Sequence, residues 1–165
     1  MILGNGDLAS VLKEAMRPAD DSYIFFASGV SNSQEIRQEE YQREIGLLMR
    51  QDKKKHLVYF STLSVFYGDS LYIRHKKFME SKVQTEFDHW TIVRLGNITW
   101  GKNPHTLINY LRAHKAAEIQ DVYRYICDKE EFLHWIDLIP EWSCEMNITG
   151  KRLKVAEIVK KYVNT

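Results

Sequence analysis

Short apolar runs alternate along this chain with stretches in which apolar residues return every three or four positions, and that alternation gives the first picture of the fold. Met1 to Leu3 form an apolar run ending in Gly4-Asn5-Gly6, after which Leu8, Val11, Leu12, Ala15 and Met16 recur at helical spacing. The pattern predicts strand, glycine turn, helix. Arg17-Pro18-Ala19-Asp20-Asp21 breaks that helix, and Tyr23 to Ala27 reads as a buried strand closed by Ser28-Gly29. From about Ser33 to Gln51, Ile36, Tyr41, Ile45, Leu48 and Met49 stand among charges as one face of a helix, and His56 to Phe60 is again rich in strand formers. The same reasoning predicts a helix over Tyr72 to about Val83, a strand over Trp90 to Leu95, a helix from Pro104 to about Lys115 and a strand over Val122 to Cys127. Phe132, Leu133, Ile136 and Ile139 suggest another helix, Glu145 to Thr149 a short strand, and Val155, Ile158, Val159 and Tyr162 a closing amphipathic helix.

Alternating strands and helices with short connections imply an α/β domain, a mostly parallel sheet covered on both faces. A length of 165 residues fits one such domain spanning 1–165, and no repeat or low-complexity linker divides it. In such a sheet, ligands bind beyond the carboxyl ends of the strands, where the winding direction reverses. The loops to watch are therefore Gly4-Asn5-Gly6, Ala27-Ser28-Gly29, Ser61-Thr62 and Gly96-Asn97.

Charge and composition narrow the choice of partners. With 23 basic and 22 acidic residues the chain carries no global field that would attract nucleic acid or a membrane surface. Lys53-Lys54-Lys55-His56, and Lys151, Arg152, Lys154, Lys160 and Lys161, read as solvated loop and helix faces. No apolar stretch approaches the roughly 18 residues that span a bilayer. Cys127 and Cys144 lack C-x-x-C spacing and no secretory leader pattern opens the chain, so a cytoplasmic location is expected. No clustered His, Cys or carboxylate spacing points to a metal. Either His75 or His105 could touch a substrate, but both read better as surface histidines without partners.

Two motifs carry chemistry. Gly4-Asn5-Gly6-Asp7-Leu8-Ala9 matches G-x-G-x-x-A directly after a strand, where glycines let a pyrophosphate approach free backbone amides; tight strand-to-helix packing would explain the same residues equally well. Tyr72-Ile73-Arg74-His75-Lys76 sets a phenol and an ammonium one helical turn apart. A nearby cation lowers a phenol's pKa and suits it to proton transfer at a hydroxyl or carbonyl. Alone, that spacing is expected about once by chance in a chain this rich in Tyr and Lys.

The order of the segments is more telling. Tyr59-Phe60-Ser61-Thr62-Leu63-Ser64-Val65-Phe66-Tyr67-Gly68 resembles the strand ending in Ser-Ser or Ser-Thr before Val-Tyr-Gly of the extended short-chain dehydrogenase/reductases, the nicotinamide-dependent sugar-nucleotide epimerase and reductase family, and Tyr72 with Lys76 resembles its active pair. Ala27-Ser28-Gly29, the run Arg94-Leu95-Gly96-Asn97-Ile98-Thr99-Trp100-Gly101, the stretch from Tyr125 to Phe132 and Asn147-Ile148-Thr149-Gly150 resemble further family segments in the right order. The resemblance implies a Rossmann-like fold and a site in which Tyr72 passes a proton to or from the substrate oxygen, Lys76 lowers its pKa, and Thr62, with Ser61 in reserve, holds the same oxygen during hydride exchange with NAD or NADP. It assigns the cofactor to Gly4, Asn5, Gly6, Asp7, Leu8, Ala9, Ala27, Ser28, Gly29, Ser61, Lys76 and Asn97, and the substrate to a nucleotide-linked sugar. It also exposes departures. Only about five residues separate the first helix from Tyr23, so the family's second and third strands, and with them the adenosine side of the cofactor site, are expected to be missing. Weak cofactor binding follows. Leu63 stands where the family usually has its catalytic hydroxyl, and Leu63-Ser64 replaces the Asp-Glu pair of the family's dehydratases, leaving epimerisation or keto reduction. A homodimer lending a missing wall, or a non-catalytic binding domain on the same scaffold, are further readings of these losses.

Overall fold

The computed structural model describes residues 1–165. In chain order the strands are β1 (Ile2–Leu3), β2 (Tyr23–Phe26), β3 (His56–Thr62), β4 (Trp90–Leu95), β5 (Asn97–Ile98), β6 (Tyr123–Cys127), β7 (Cys144–Ile148) and β8 (Lys151–Lys154). The helices are α1 (Asp7–Leu12), α2 (Gln38–Met49), α3 (Leu71–Glu86), α4 (Leu107–Ala113), α5 (Lys129–Asp137) and α6 (Val155–Ile158), the last running on into a π turn over Val159–Val163. Five strands form a wholly parallel sheet in the order β1-β2-β3-β4-β7. The Rossmann-like α/β fold expected from the sequence is present.

The sheet is covered on both faces, which is why its strands read as unbroken apolar runs. Phe25, Val58, Phe60, Val93 and Leu95 pack on one face against Val11 and Leu12 of α1 and Phe132 and Ile136 of α5. Ile24, Phe26, Leu57, Tyr59 and Ile92 pack on the other against Leu48 of α2 and Met79 and Val83 of α3. Full burial of a side chain such as Phe25 contributes about 1.5–3 kcal/mol. Helix ends follow local chemistry. Ser70 caps α3 by accepting from the Ile73 N–H at 3.2 Å, and the Lys53 ammonium closes α2 on the Met49 and Gln51 carbonyls at 2.6 and 3.0 Å. Lys53 is thus engaged rather than merely solvated.

No strand lies between α1 and β2; only a short 3-10 turn at Arg17–Ala19 joins them, and β1 is an edge strand. The topology has a consequence for handedness. The steps β1 to β2 and β2 to β3 run the same way across the sheet, yet α1 and α2 lie on opposite faces, so the two crossovers have opposite hands. One of them departs from the right-handed rule that parallel sheets obey almost without exception. The expected reversal of winding is also absent, because all five strands progress in one direction.

Three expectations are corrected. The strand at Tyr123–Cys127 does not join the main sheet but pairs parallel with β5 and antiparallel with β8 in a separate three-stranded sheet. β8 itself lies in the charged stretch read as a helix face; Gly150, at φ +61°, turns the chain back tightly enough to pair it with β6. The helix expected from Pro104 begins only at Leu107, since the Asn103 side chain accepts from the His105 N–H at 2.9 Å and folds that segment into a turn.

At the amino end of β3, His56 is buried, stacked on Tyr23 with ring centroids 4.7 Å apart, and 2.7 Å from Thr91 Oγ1. Burial is the main cause that lowers it from 6.5 to about 4. Folding therefore favours the neutral ring and the unfolded chain binds the proton more tightly, so the His56 contribution is whole above pH 6.5 and is lost as pH falls toward about 4. We expect the urea midpoint to fall between about pH 7 and about pH 5, and to fall less in His56→Gln; an identical pH dependence in the variant would refute this assignment.

Candidate active site

Turns at the carboxyl ends of β1 and β2 touch one another. Gly4 has φ +120°, and a Cβ there would lie 2.2 Å from the Ala27 carbonyl oxygen, so only glycine lets the Gly4-Asn5-Gly6 turn sit against Ala27-Ser28. Gly29 is constrained differently. A Cβ on it would fall 2.7 Å from Glu44 Oε1 and 2.9 Å from Lys76 Nζ, so the space beside it is filled by an ion pair. The turn after β2 is thereby tied to the helix that carries Tyr72 and Lys76.

That ion pair is the centre of a buried polar cluster. Glu44 has no exposure, and its carboxylate accepts from Tyr59 Oη at 2.7 Å, from His75 Nε2 at 2.6 Å and from the Val30 N–H at 3.1 Å. Lys76 Nζ lies 3.6 Å from Glu44 Oε1 and donates to Tyr59 Oη at 3.2 Å and to the Phe60 carbonyl at 3.4 Å. Burial pushes the Glu44 carboxyl upward, but Lys76, His75 and Tyr59 outweigh it and hold the group at about 2. It is a carboxylate at neutral pH. Burial, and then Glu44, raise Tyr59 well above the ordinary phenol value.

Tyr72 is half-buried, and its ring centroid lies 5.7 Å from Lys76 Nζ. The sequence spacing therefore does bring phenol and ammonium to one helix face. The electrostatic outcome differs from the one expected from spacing alone: burial raises Tyr72, Lys76 lowers it, Glu44 raises it again, and the net direction is upward.

The hydroxyls at the end of β3 divide between the faces of the sheet. Thr62 Oγ1 accepts from the Ser64 N–H at 3.2 Å, capping a 3-10 turn over Leu63–Phe66. Strand alternation puts Thr62 on the Phe60 face and Ser61 on the face of Tyr59, beside α3. Ser61 is buried and its Oγ has no hydrogen-bond partner in the protein. Leu63, Phe66, Tyr67, Tyr125, Asn147 and Thr149 line an open cavity of about 170 Å³ beyond the strand ends. Asn97 Nδ2 donates to the Tyr125 carbonyl at 3.1 Å, holding the small sheet against this cavity. Arg94 is committed, its guanidinium forked onto Glu80 at 3.0 and 2.7 Å and bonded to Glu145 at 3.1 Å.

Other candidate positions serve packing. Ala9 is buried, and Leu8 packs on the core beneath α1. The Asp7 carboxylate accepts from the N–H groups of Lys102 and Asn103 at 3.0 and 2.9 Å, strapping the following loop to the glycine turn. Gly101, at φ +96°, passes so close to Asp7 that a Cβ would overlap its carboxylate. Gly6 differs: a Cβ there meets nothing within 4 Å.

Glu44 and Tyr59 were not among the residues that sequence assigned to the site, and His75 was set aside. The reading of His75 as a partnerless surface residue is corrected, since it is buried, bonded to Glu44 and packed on Tyr41 with ring centroids 4.4 Å apart. A signal existed. Glu44 falls at i+3 from Tyr41 and four before Leu48, on the buried stripe of α2, and a carboxylate on such a stripe demands a buried partner.

No protein-family model matches the chain, and no curated protein matches it in sequence. Solved structures resemble it in fold. The Bordetella bronchiseptica enzyme WbmG, solved in complex with NAD and UDP, superposes with a TM-score of 0.64 at 16% identity, over 96% of this chain and 60% of that one. WbmH from the same organism, in complex with NAD+, gives 0.66 at 11% identity over 93% and 61%. The Thermus thermophilus UDP-glucose 4-epimerase, in complex with NAD, gives 0.60 at 14% identity over 93% and 64%. The chain thus spans less than two thirds of each of these proteins.

The glycine geometry makes a sharp contrast testable. Gly4→Ala should cost about 2 kcal/mol or more in urea unfolding, while Gly6→Ala should change stability by less than about 0.5 kcal/mol. Equal effects would contradict the close approach of the turns.

Proposed function

We propose that the chain is an NAD(P)-dependent epimerase or keto-reductase acting on a nucleotide-linked sugar. The observation that carries the reading is the convergence at the carboxyl end of the sheet: Tyr72 and Lys76 one turn apart on α3, with Lys76 directly beneath the Gly29 turn, which adjoins the Gly4 turn. The fold likeness to proteins solved with NAD supports it. In this reading Tyr72 gives or takes a proton at the substrate oxygen, Lys76 sets the charge beneath it, and Thr62 would have to hold that oxygen from the opposite, Phe60 face at the end of β3. Ser61, whose Oγ is free of other partners, is the alternative hydroxyl.

The residues present fit part of the cofactor. The contacting turns Gly4-Asn5-Gly6 and Ala27-Ser28-Gly29 suit a pyrophosphate and the nicotinamide side, whereas nothing flanks β1 where an adenosine-binding strand would lie. When bound, the nicotinamide would supply or accept hydride. With so little of the adenosine side, binding should be weak and indifferent between NAD and NADP. A second copy of the chain lending the missing wall belongs to the same reading, and sedimentation would reveal it. The six residues lining the cavity at Leu63 and Tyr67 are the place for the sugar.

A second reading has its own observation. The Asp7 strap over the glycine turn and the commitment of Lys76 to Glu44 suit a nucleotide-binding domain that no longer turns over.

Calorimetry with NAD and NADP, followed by product analysis with nucleotide sugars and their keto forms, separates the two. We expect weak binding of both cofactors, epimerised or reduced product and no dehydrated sugar. Tyr72→Phe should lower turnover about 10²-fold to 10⁴-fold with the fold retained. Binding without turnover would favour the second reading, and formation of a 4-keto-6-deoxy product would rule out the first.

A further inference from the structure

Two charged groups beneath Tyr72 are exposed to water hardly at all. Lys76 retains 3% exposure and Glu44 none. An ammonium free to swing would settle near the phenol one turn away, but this one has a fixed address: Glu44 at 3.6 Å, Tyr59 Oη at 3.2 Å and the Phe60 carbonyl at 3.4 Å. Glu44 is in turn fixed from three other directions, by the N–H of Val30, by Tyr59 and by His75. Gly29 leaves room for the pair and for nothing larger than hydrogen. The groups facing Tyr72 and Lys76 are Glu44 and Tyr41 from α2, Tyr59 from β3 and His75 from α3; Glu80, further along α3, is taken up by Arg94 of β4.

We propose that Glu44 is a positioning residue: its buried carboxylate pins the Lys76 ammonium beneath the Gly29 turn and withholds a bare cation from the Tyr72 phenol. The inference rests on Tyr72 and Lys76 being the proton-transfer pair, and it deepens that reading. A phenol deprived of a bare cation stays protonated through neutral pH, which suits it to give a proton to a carbonyl oxygen rather than take one from a hydroxyl. A keto compound is then the substrate form that Tyr72 is set to meet.

The test uses the full chain without cofactor, with ¹³Cζ-labelled tyrosine followed by NMR against pH and the Tyr72 signal assigned from its loss in Tyr72→Phe. We expect Tyr72 to titrate above the ordinary phenol value in the native chain and lower in Glu44→Gln. Lys76→Met should raise the Tyr72 titration more in the Glu44→Gln background than in the native one, because only there is the cation uncompensated. A merely structural Glu44 would leave the Lys76 effect equal in both. Where Glu44→Gln loses its fold by circular dichroism, Glu44→Asp, which keeps the charge but withdraws it by one methylene, must shift Tyr72 in the same downward direction. An unmoved Tyr72 in a folded variant, or equal Lys76 effects, overturns the proposal. Because no turnover is read, an inactive chain would sink the proposed activity and the keto substrate with it, while the hold of Glu44 on Lys76 is decided separately by the titrations.

Discussion

A carboxylate cut off from water cannot exist in a protein unless its neighbours replace the lost hydration, and Glu44 obliges much of this structure to serve it. It demands a hydroxyl from β3, a ring nitrogen and an ammonium from α3, and an N–H from the segment after β2. Those groups can meet only if α2 and α3 pack side by side on one face and Gly29 carries no side chain. Removing one member of such a cluster leaves an unpaired buried charge, typically at a cost of about 3–5 kcal/mol. The same cluster lies directly under the candidate active pair, so architecture and chemistry are constrained by one set of contacts.

The rest of the site is shaped by what the chain omits. With no strand between α1 and β2, the edge of the sheet falls where the winding of a doubly wound fold would reverse. Joining α1 straight to β2 leaves α1 on the face opposite α2, and neighbouring crossovers of opposite hand are the geometric cost. In the proposed reading, the turns at Gly4 and Gly29 would offer only one side of a dinucleotide cradle because the sheet ends at β1.

Charge placement around the glycine turn points the same way. Asp7 spends its acceptors on the backbone of Lys102 and Asn103, which fastens the loop after β5 across the start of α1. Arg94 is similarly occupied by Glu80 and Glu145. Groups that a sequence motif assigns to ligands can therefore be consumed internally.

Much of the fold was legible in the sequence, because buried parallel strands must be apolar on both faces and their helices must show a 3.6-residue stripe. Tyr23 to Phe26, Trp90 to Leu95 and the helix bearing Tyr72 and Lys76 announce themselves in this way. That no strand lies between α1 and β2 was equally plain, since the few residues there leave no room for one. Periodicity does not encode which strands pair, so the separate sheet of β5, β6 and β8 was settled only by tertiary contacts. The spacing of Tyr72 and Lys76 on a shared helix face was likewise fixed by the chain itself, through helix geometry. Whether the ammonium faces the phenol or a counter-ion depended on α2, a separate helix distant in sequence, bringing Glu44 against α3. Local geometry can be read from a sequence because it is set by neighbours along the chain; the charge state of a site cannot, because it is a sum over neighbours in space.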